Sequence, residues 1–182
     1  MKHFVIVLMF FYPVFCFSQN LENLDLKYGF NKFTLGSPIQ TNNKDLEYLD
    51  FDNKTGVKYY KYTKKDISIF GFTEIEQINL GFYKDKLYTI DIVLNPYSND
   101  KMYSTILSKL KDLFGYPTSI GYGKDYGEWD SRSYMENANQ WLTSKTLLGL
   151  NKVKCNSPSR PCTVSIFLVS QVIQRQINND GF

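Results

Sequence analysis

The spacing of hydrophobic positions changes along this chain, and each change predicts an element. Phe4 to Phe17 is almost unbroken apolar sequence behind Lys2 and His3, with Ser18-Gln19 at its exit. A basic start, an apolar run and small exit residues are the layout of a secretory signal peptide. Cleavage is expected after Ser18, with Cys16 and Ser18 in the two small-residue positions. The run falls short of the roughly 20 apolar residues of a spanning helix, and no later run is long enough either. Acylation of Cys16 is the competing reading, but Phe15 stands where a small residue normally precedes a lipidated cysteine. The expected organisation is a signal peptide over 1–18 and a single domain over 19–182, secreted or periplasmic.

Past residue 18, period two dominates. In "EIEQINLGFYKDKLYTIDIVL" (74–94), Ile78, Leu80 and Phe82 alternate with polar or small residues, as do Tyr88, Ile90, Ile92 and Leu94. Each set lines one face of a strand, which predicts a hairpin turning at Lys84-Asp85-Lys86. "EYLDFDNKTGVKYYKYT" (47–63) reads as two strands around an Asn53–Gly56 turn, rich in the Tyr and β-branched residues that strands favour. In its second strand Lys58, Tyr60, Tyr62 and Lys64 share one face, with Val57, Tyr59 and Lys61 on the other. "GFNKFTLGSPIQ" (29–40) predicts one short strand, Phe30 to Leu35, stopped by Gly36, with Ser37-Pro38 opening a short helical turn.

The period then lengthens. In "SNDKMYSTILSKLKDLFGYP", Tyr103, Ile106, Leu107, Leu110, Leu113 and Phe114 form the stripe of a helix with one buried face. Ser98 or Asn99 suits its start, Gly115 its C′ position, and Pro117 blocks continuation. Residues 115–137 read as a long polar-aromatic loop. Two or three strands follow in 139–155 and 162–173, and "QRQINNDGF" reads as a frayed tail or short turn. Strands, one helix about 99–114, then strands make an α+β two-layer domain, its mostly antiparallel sheet carrying the helix on one face.

Composition removes more functions than it suggests. His3 is the only histidine, and it lies in the signal peptide. The remaining chain therefore lacks the imidazole of Ser-His-Asp or Cys-His catalysis, and it has no His-ligated metal site. The formal net charge is +3, and one less once Lys2 is removed, too small and dispersed for a nucleic-acid protein. "KYYKYTKK" (58–65) interleaves Lys with Tyr, but it reads as a half-exposed strand rather than a nucleic-acid platform. Nothing in the sequence calls for a cofactor or a metal.

Two constellations carry chemistry. Cys155 and Cys162 flank "NSPSRP" between two strand-like segments. An even pair of thiols in an oxidising compartment predicts a disulfide across a hairpin neck. A metal site lacks further ligands, and a redox pair wants C-x-x-C. The loop "GYGKDYGEWDSR" (121–132) sets Asp125, Glu128 and Asp130 beside Tyr122, Tyr126 and Trp129. Carboxylates about 5–9.5 Å apart with stacking aromatics are what a glycosidase uses, while three acids in one loop are more often simply solvated. Gly121, Gly123 and Gly127 do not open a helix after a strand, so the loop is no phosphate cradle.

"FNKFTLGSP", "FGFTEIEQINLGFYKDKLYTIDIVL" and "YSTILSKLKDLFGYP", in this order, resemble a loose group of small secreted bacterial proteins of unknown function. The helix ending "LFGYP" before strands is similar to the small outer-membrane assembly lipoproteins of the BamE type. The resemblance implies an envelope or secreted α+β module and carries over no catalytic residue. The leading expectation is a non-enzymatic module binding a protein or envelope component. The rivals are a carboxylate-based, glycan-acting enzyme using the 121–132 loop and an inhibitor or immunity-like protein.

Overall fold

Alternation in the central hairpin is realised residue by residue. Strand β5 (Ile75–Tyr83) pairs antiparallel with β6 (Lys86–Leu94), setting Ile78 opposite Ile92 and Leu80 opposite Ile90 on one face. The two turn residues, Lys84 and Asp85, both have positive φ (46° and 61°), the backbone of a tight two-residue hairpin turn. The computed structural model describes residues 19–39, 44–94, 100–121, 133–155 and 163–181.

Two antiparallel meanders make one sheet. The first runs β3 (Leu46–Asp52), β4 (Val57–Tyr62), β5, β6; the second runs β7 (Ser119–Gly121), β8 (Ser133–Leu142), β9 (Thr146–Cys155), β10 (Thr163–Ser170). The last strand of each meets the other, giving the order β3-β4-β5-β6-β10-β9-β8-β7. Helix α2 (Asp100–Phe114) carries the chain between them. It buries Met102, Tyr103, Ile106, Leu110 and Phe114 against Ile90, Ile92, Ile166, Leu168, Leu148 and Trp141. Gly115, at φ 78°, ends the helix as expected, and Trp141 donates its indole N–H to the Gly115 carbonyl at 2.8 Å. The α+β reading, mostly antiparallel sheet with one main amphipathic helix on one face, is what the structure shows.

Other elements depart from expectation, each for a local reason. Residues 29–34 form not one strand but a tight hairpin, β1 (Gly29–Phe30) and β2 (Phe33–Thr34), turned at Asn31 with φ 52°. Pro38 bridges Lys86 and the Ser37 hydroxyl donates back to the Thr34 carbonyl; residues 40–43, over which the expected helical turn would run, lie outside the described residues. The 115–137 region is not all loop, because β7 and the start of β8 lie within it, β7 pairing with Ala138–Gln140 and the start of β8 with β9. Tyr88 does not share a face with Ile90, because a register shift at Gly81/Phe82 makes Tyr88 the unpaired bulge residue and turns it to the opposite face.

The ends of the described chain are helical. Helix α1 (Gln19–Lys27) packs on α2, with Leu24 buried and Asp25 accepting from Thr143 and Ser144 in the β8–β9 turn. The C-terminal segment is not a frayed tail but helix α3 (Gln171–Asn179). Ser170 stops β10, takes an extended backbone and caps the helix by accepting from the Ile173 N–H. Ile173 and Ile177, four apart, bury on Val57 and Tyr83 with Tyr59 and Tyr88 alongside, on the face opposite α2. At the far end Asp180 accepts from the Tyr83 hydroxyl and, at 2.8 Å, from Lys84.

Candidate functional site

The two faces of the sheet are finished differently. The α2 face is a continuous apolar core. The opposite face is covered at its hairpin-turn end by α3, pinned by Asp180 on Lys84 and by Arg175 on the Ser144 carbonyl. Beyond α3 the registers place one row of same-face residues across eight strands: Glu47, Lys61, Asn79, Asp91, Phe167, Gly149, Gln140 and Ser119. A second row runs Gln77, Val93, Ser165, Asn151 and Ala138.

Glycine shapes this floor. A Cβ on Gly149 would lie 2.1 Å from two ring atoms of Phe167, so the ring lies across the Gly149 backbone. Phe167 belongs to neither apolar cluster, and its ring rests on the sheet rather than in a core. Gly81 does the same for Tyr59, whose Cε1 would lie 2.9 Å from an added Cβ. Both aromatic rings thus lie low on this face, Tyr59 beside the α3 cluster and Phe167 outside it.

Asp91 stands between them. It is half-buried, on the central strand β6, flanked across the strands by Asn79 and Phe167. Burial pushes its carboxyl above the ordinary range, and a hydrogen bond from Asn79 pulls the other way. The Asn79 amide oxygen accepts from Gln77 at 2.6 Å, which fixes the amide that faces Asp91. Burial raises Tyr59 also, followed by the fields of Asp52, Asp91 and Asp50. Tyr88, donating to Gln174 of α3, is pushed up to about 12, first by burial and then by Tyr59. The face therefore holds neutral tyrosines around a carboxylate with no cation against it among the described residues.

A cleft of about 360 Å³ adjoins this floor where β4 and β5 diverge, lined by Glu47, Lys61, Lys65, Glu76 and Gln77 among others. Such a site binds through hydrogen bonds, carboxylates and flat aromatic surface. Glu47 and Glu76 both line the cleft. Glu47, Asp50 and Asp52, the acids of β3 on this face, lie three strands and so about 14 Å or more from Asp91.

The residues that the sequence singles out lie elsewhere. Tyr122, Asp125, Tyr126, Glu128, Trp129 and Asp130 fall outside the described residues, in the connection between Gly121 and Ser133. Cys155 is the last residue of β9, with its backbone opposite Ser133; its side chain and Cys162 lie outside the description. Asp91 and Phe167 were missed, although a polar residue between Ile90 and Ile92 and a Phe on the Ser165–Val169 face were both visible in the alternation. Among the described residues no three His, Cys, Asp or Glu side chains are grouped to hold a metal ion, and no helix is long and apolar enough to cross a membrane. The chain matches no protein-family profile, no curated protein and no solved structure.

Proposed function

We propose that this protein is a secreted or periplasmic, non-enzymatic binding module that engages a protein or envelope component through the face of the sheet left open by α3. The observation that carries this reading is the Phe167 ring lying on Gly149 beside the half-buried Asp91. A flat aromatic surface outside the core clusters and a desolvated carboxylate with no cation among the described residues both cost stability in the free protein, and both gain from a ligand. The compartment follows from the Phe4–Phe17 run and its flanks. The test compares Phe167→Ala and Asp91→Ala with wild type for retention of envelope components at physiological salt. The variants should lose what wild type retains; if wild type retains nothing, the reading has no support.

A second reading has its own observation. An aromatic ring beside a carboxylate also suits the stacking and hydroxyl recognition of a sugar. A glycan-acting enzyme would then combine this floor with Asp125, Glu128 or Asp130. Incubating wild type and Glu128→Gln with cell-wall and glycan panels decides it, since equal inactivity removes the reading.

A further inference from the structure

Among the described residues strand β3 ends the sheet, and six of its seven residues pair with β4 and with no other strand. Its composition is divided by face. Glu47, Asp50 and Asp52 stand opposite Lys61, Tyr59 and Val57, on the same side as Asp91 and α3. Tyr48 and Phe51 stand on the α2 side, with Leu49 at a bulge between Tyr48 and Asp50. These three apolar residues are exposed by 57%, 41% and 42% respectively, although strand residues of this kind normally cover a core.

The aromatic packing points outward. Phe82 on β5 is buried, and Tyr60 on β4 meets it edge to face at 5.7 Å. Tyr48 on β3 meets Tyr60 in the same way at 5.6 Å and then faces solvent. This ladder crosses three strands, diagonally from Phe82 to Tyr60 and directly from Tyr60 to Tyr48, and stops where the sheet stops, one apolar rung short of being enclosed.

Charge decides what could supply that rung. In an antiparallel pair of two β3 strands, Glu47, Asp50 and Asp52 would meet the same carboxylates of the other copy, an arrangement of like charges that opposes pairing. A strand carrying Lys or Arg on that face meets them favourably. Hydrogen bonds from Lys54 N–H and Thr55 hold the Asp52 carboxyl below its ordinary range, so it stays ionised. Asp50 accepts from the Phe51 N–H at 2.8 Å, which satisfies one backbone donor and leaves pairing to the rest of the strand.

We propose that β3 accepts an extended segment of a partner protein, adding a ninth strand whose residues alternate basic, toward Glu47, Asp50 and Asp52, with apolar, toward Tyr48 and Phe51. This rests on the binding-module reading and names the chemistry of the partner. The basic side of the new strand would continue the open face that holds Asp91.

The probe is a fluorescein-labelled peptide of alternating Lys and Val, read by anisotropy against the protein. Two controls have the same length: one alternates Glu and Val, the other carries the same lysines with a central Pro that cannot continue a ladder. Wild type should bind the Lys–Val peptide and neither control. Glu47→Lys with Asp50→Lys should weaken binding at least tenfold, and Tyr48→Thr, which keeps a strand-forming residue, should weaken it several-fold. Amide exchange should slow at Leu46 and Tyr48 when the peptide is bound. Equal binding of the Pro peptide, or no binding at all, overturns the proposal. If β3 variants retain envelope components like wild type while Phe167→Ala does not, the strand proposal falls and the open-face reading stands.

Discussion

Gly149→Ala tests the geometry on which the open face depends. The added methyl would sit 2.1 Å from Cε1 and Cζ of Phe167 and 2.8 Å from Cδ1. Real contacts of this kind lie beyond 3 Å, so the ring must swing off the strand. Gly149 shows no positive φ, so the backbone itself accepts alanine, and Gly→Ala in a strand is worth about 0.5–1 kcal/mol in favour of the variant. Against this stands an overpacking cost of about 1–3 kcal/mol, softened because Phe167 packs in no cluster and is free to move. The expected net is about 1 kcal/mol of destabilisation in wild type. In a Phe167→Ala background the clash is gone, and the same change should stabilise by about 0.5 kcal/mol. A urea double-mutant cycle then gives a coupling of about 1.5 kcal/mol, and the thermal midpoints of the pair should differ in sign, at about 2–4 °C per kcal/mol for a chain of this size. Gly149→Ala should also weaken retention of the partner, although it alters no polar group. If Gly149→Ala has the same effect in both backgrounds, the ring does not lie where this argument needs it.

Other consequences are more local. Ser170→Ala removes the α3 cap and the partner of the Tyr28 hydroxyl, and should cost about 1–3 kcal/mol by urea unfolding. Because burial holds the Asp91 carboxyl above its unfolded value, its ionised form opposes folding near neutral pH and ceases to do so below about 3.8. Asp91→Asn should therefore raise the thermal midpoint at pH 7 and lose that advantage by pH 3. Asp180 behaves in the opposite way. Lys84 and Tyr83 hold it low, so its contribution is present above 3.8 and is lost as the pH falls through the folded value; Asp180→Asn should flatten that part of the acid limb. Mass spectrometry should find the Cys155–Cys162 pair two hydrogens lighter than the reduced chain, and Cys→Ser at both should cost about 2.5 kcal/mol. Two free thiols would refute it.

Where one physical signal decided an element, the sequence displayed it. The hairpin over 75–94 and helix α2 follow from periods of 2 and 3.6 with turn residues at both ends. Helix α3 escaped because its signal is divided: "TVSIFLVS" is strand by alternation, and it runs without a Gly or Pro break into "QVIQRQIN". The hydroxyl of Ser170 is the switch, and only the Ile173–Ile177 spacing betrays the helix beyond it. The bulge that turns Tyr88 leaves no mark in composition, because it is a property of the pairing between two strands. The open face was illegible for a related reason. Asp91, Phe167 and Gly149 come from three strands, and only the order β6-β10-β9 sets them side by side.

The fold itself explains why a face is left open. Nine residues of α3 span about 14 Å, whereas eight strands span about 34 Å. Starting directly from Ser170, α3 reaches across β6 and β5 to Val57 at the near end of β4, and Tyr83 and Lys84 hold its end. The rest of that face must meet water or a ligand, and plain solvation would favour Lys and Glu with extended side chains. The residues there are different. Asp91 is half-buried against its own ionisation, Phe167 lies outside either core, and the side-chain oxygen of Asn151, in the next row, is buried with no hydrogen-bond partner. An unsatisfied buried polar atom costs about 1–3 kcal/mol, and a solvated sheet gains nothing from keeping one. Three such costs on adjoining strands, on the face that the last helix is too short to cover, are the features on which the proposed binding surface rests.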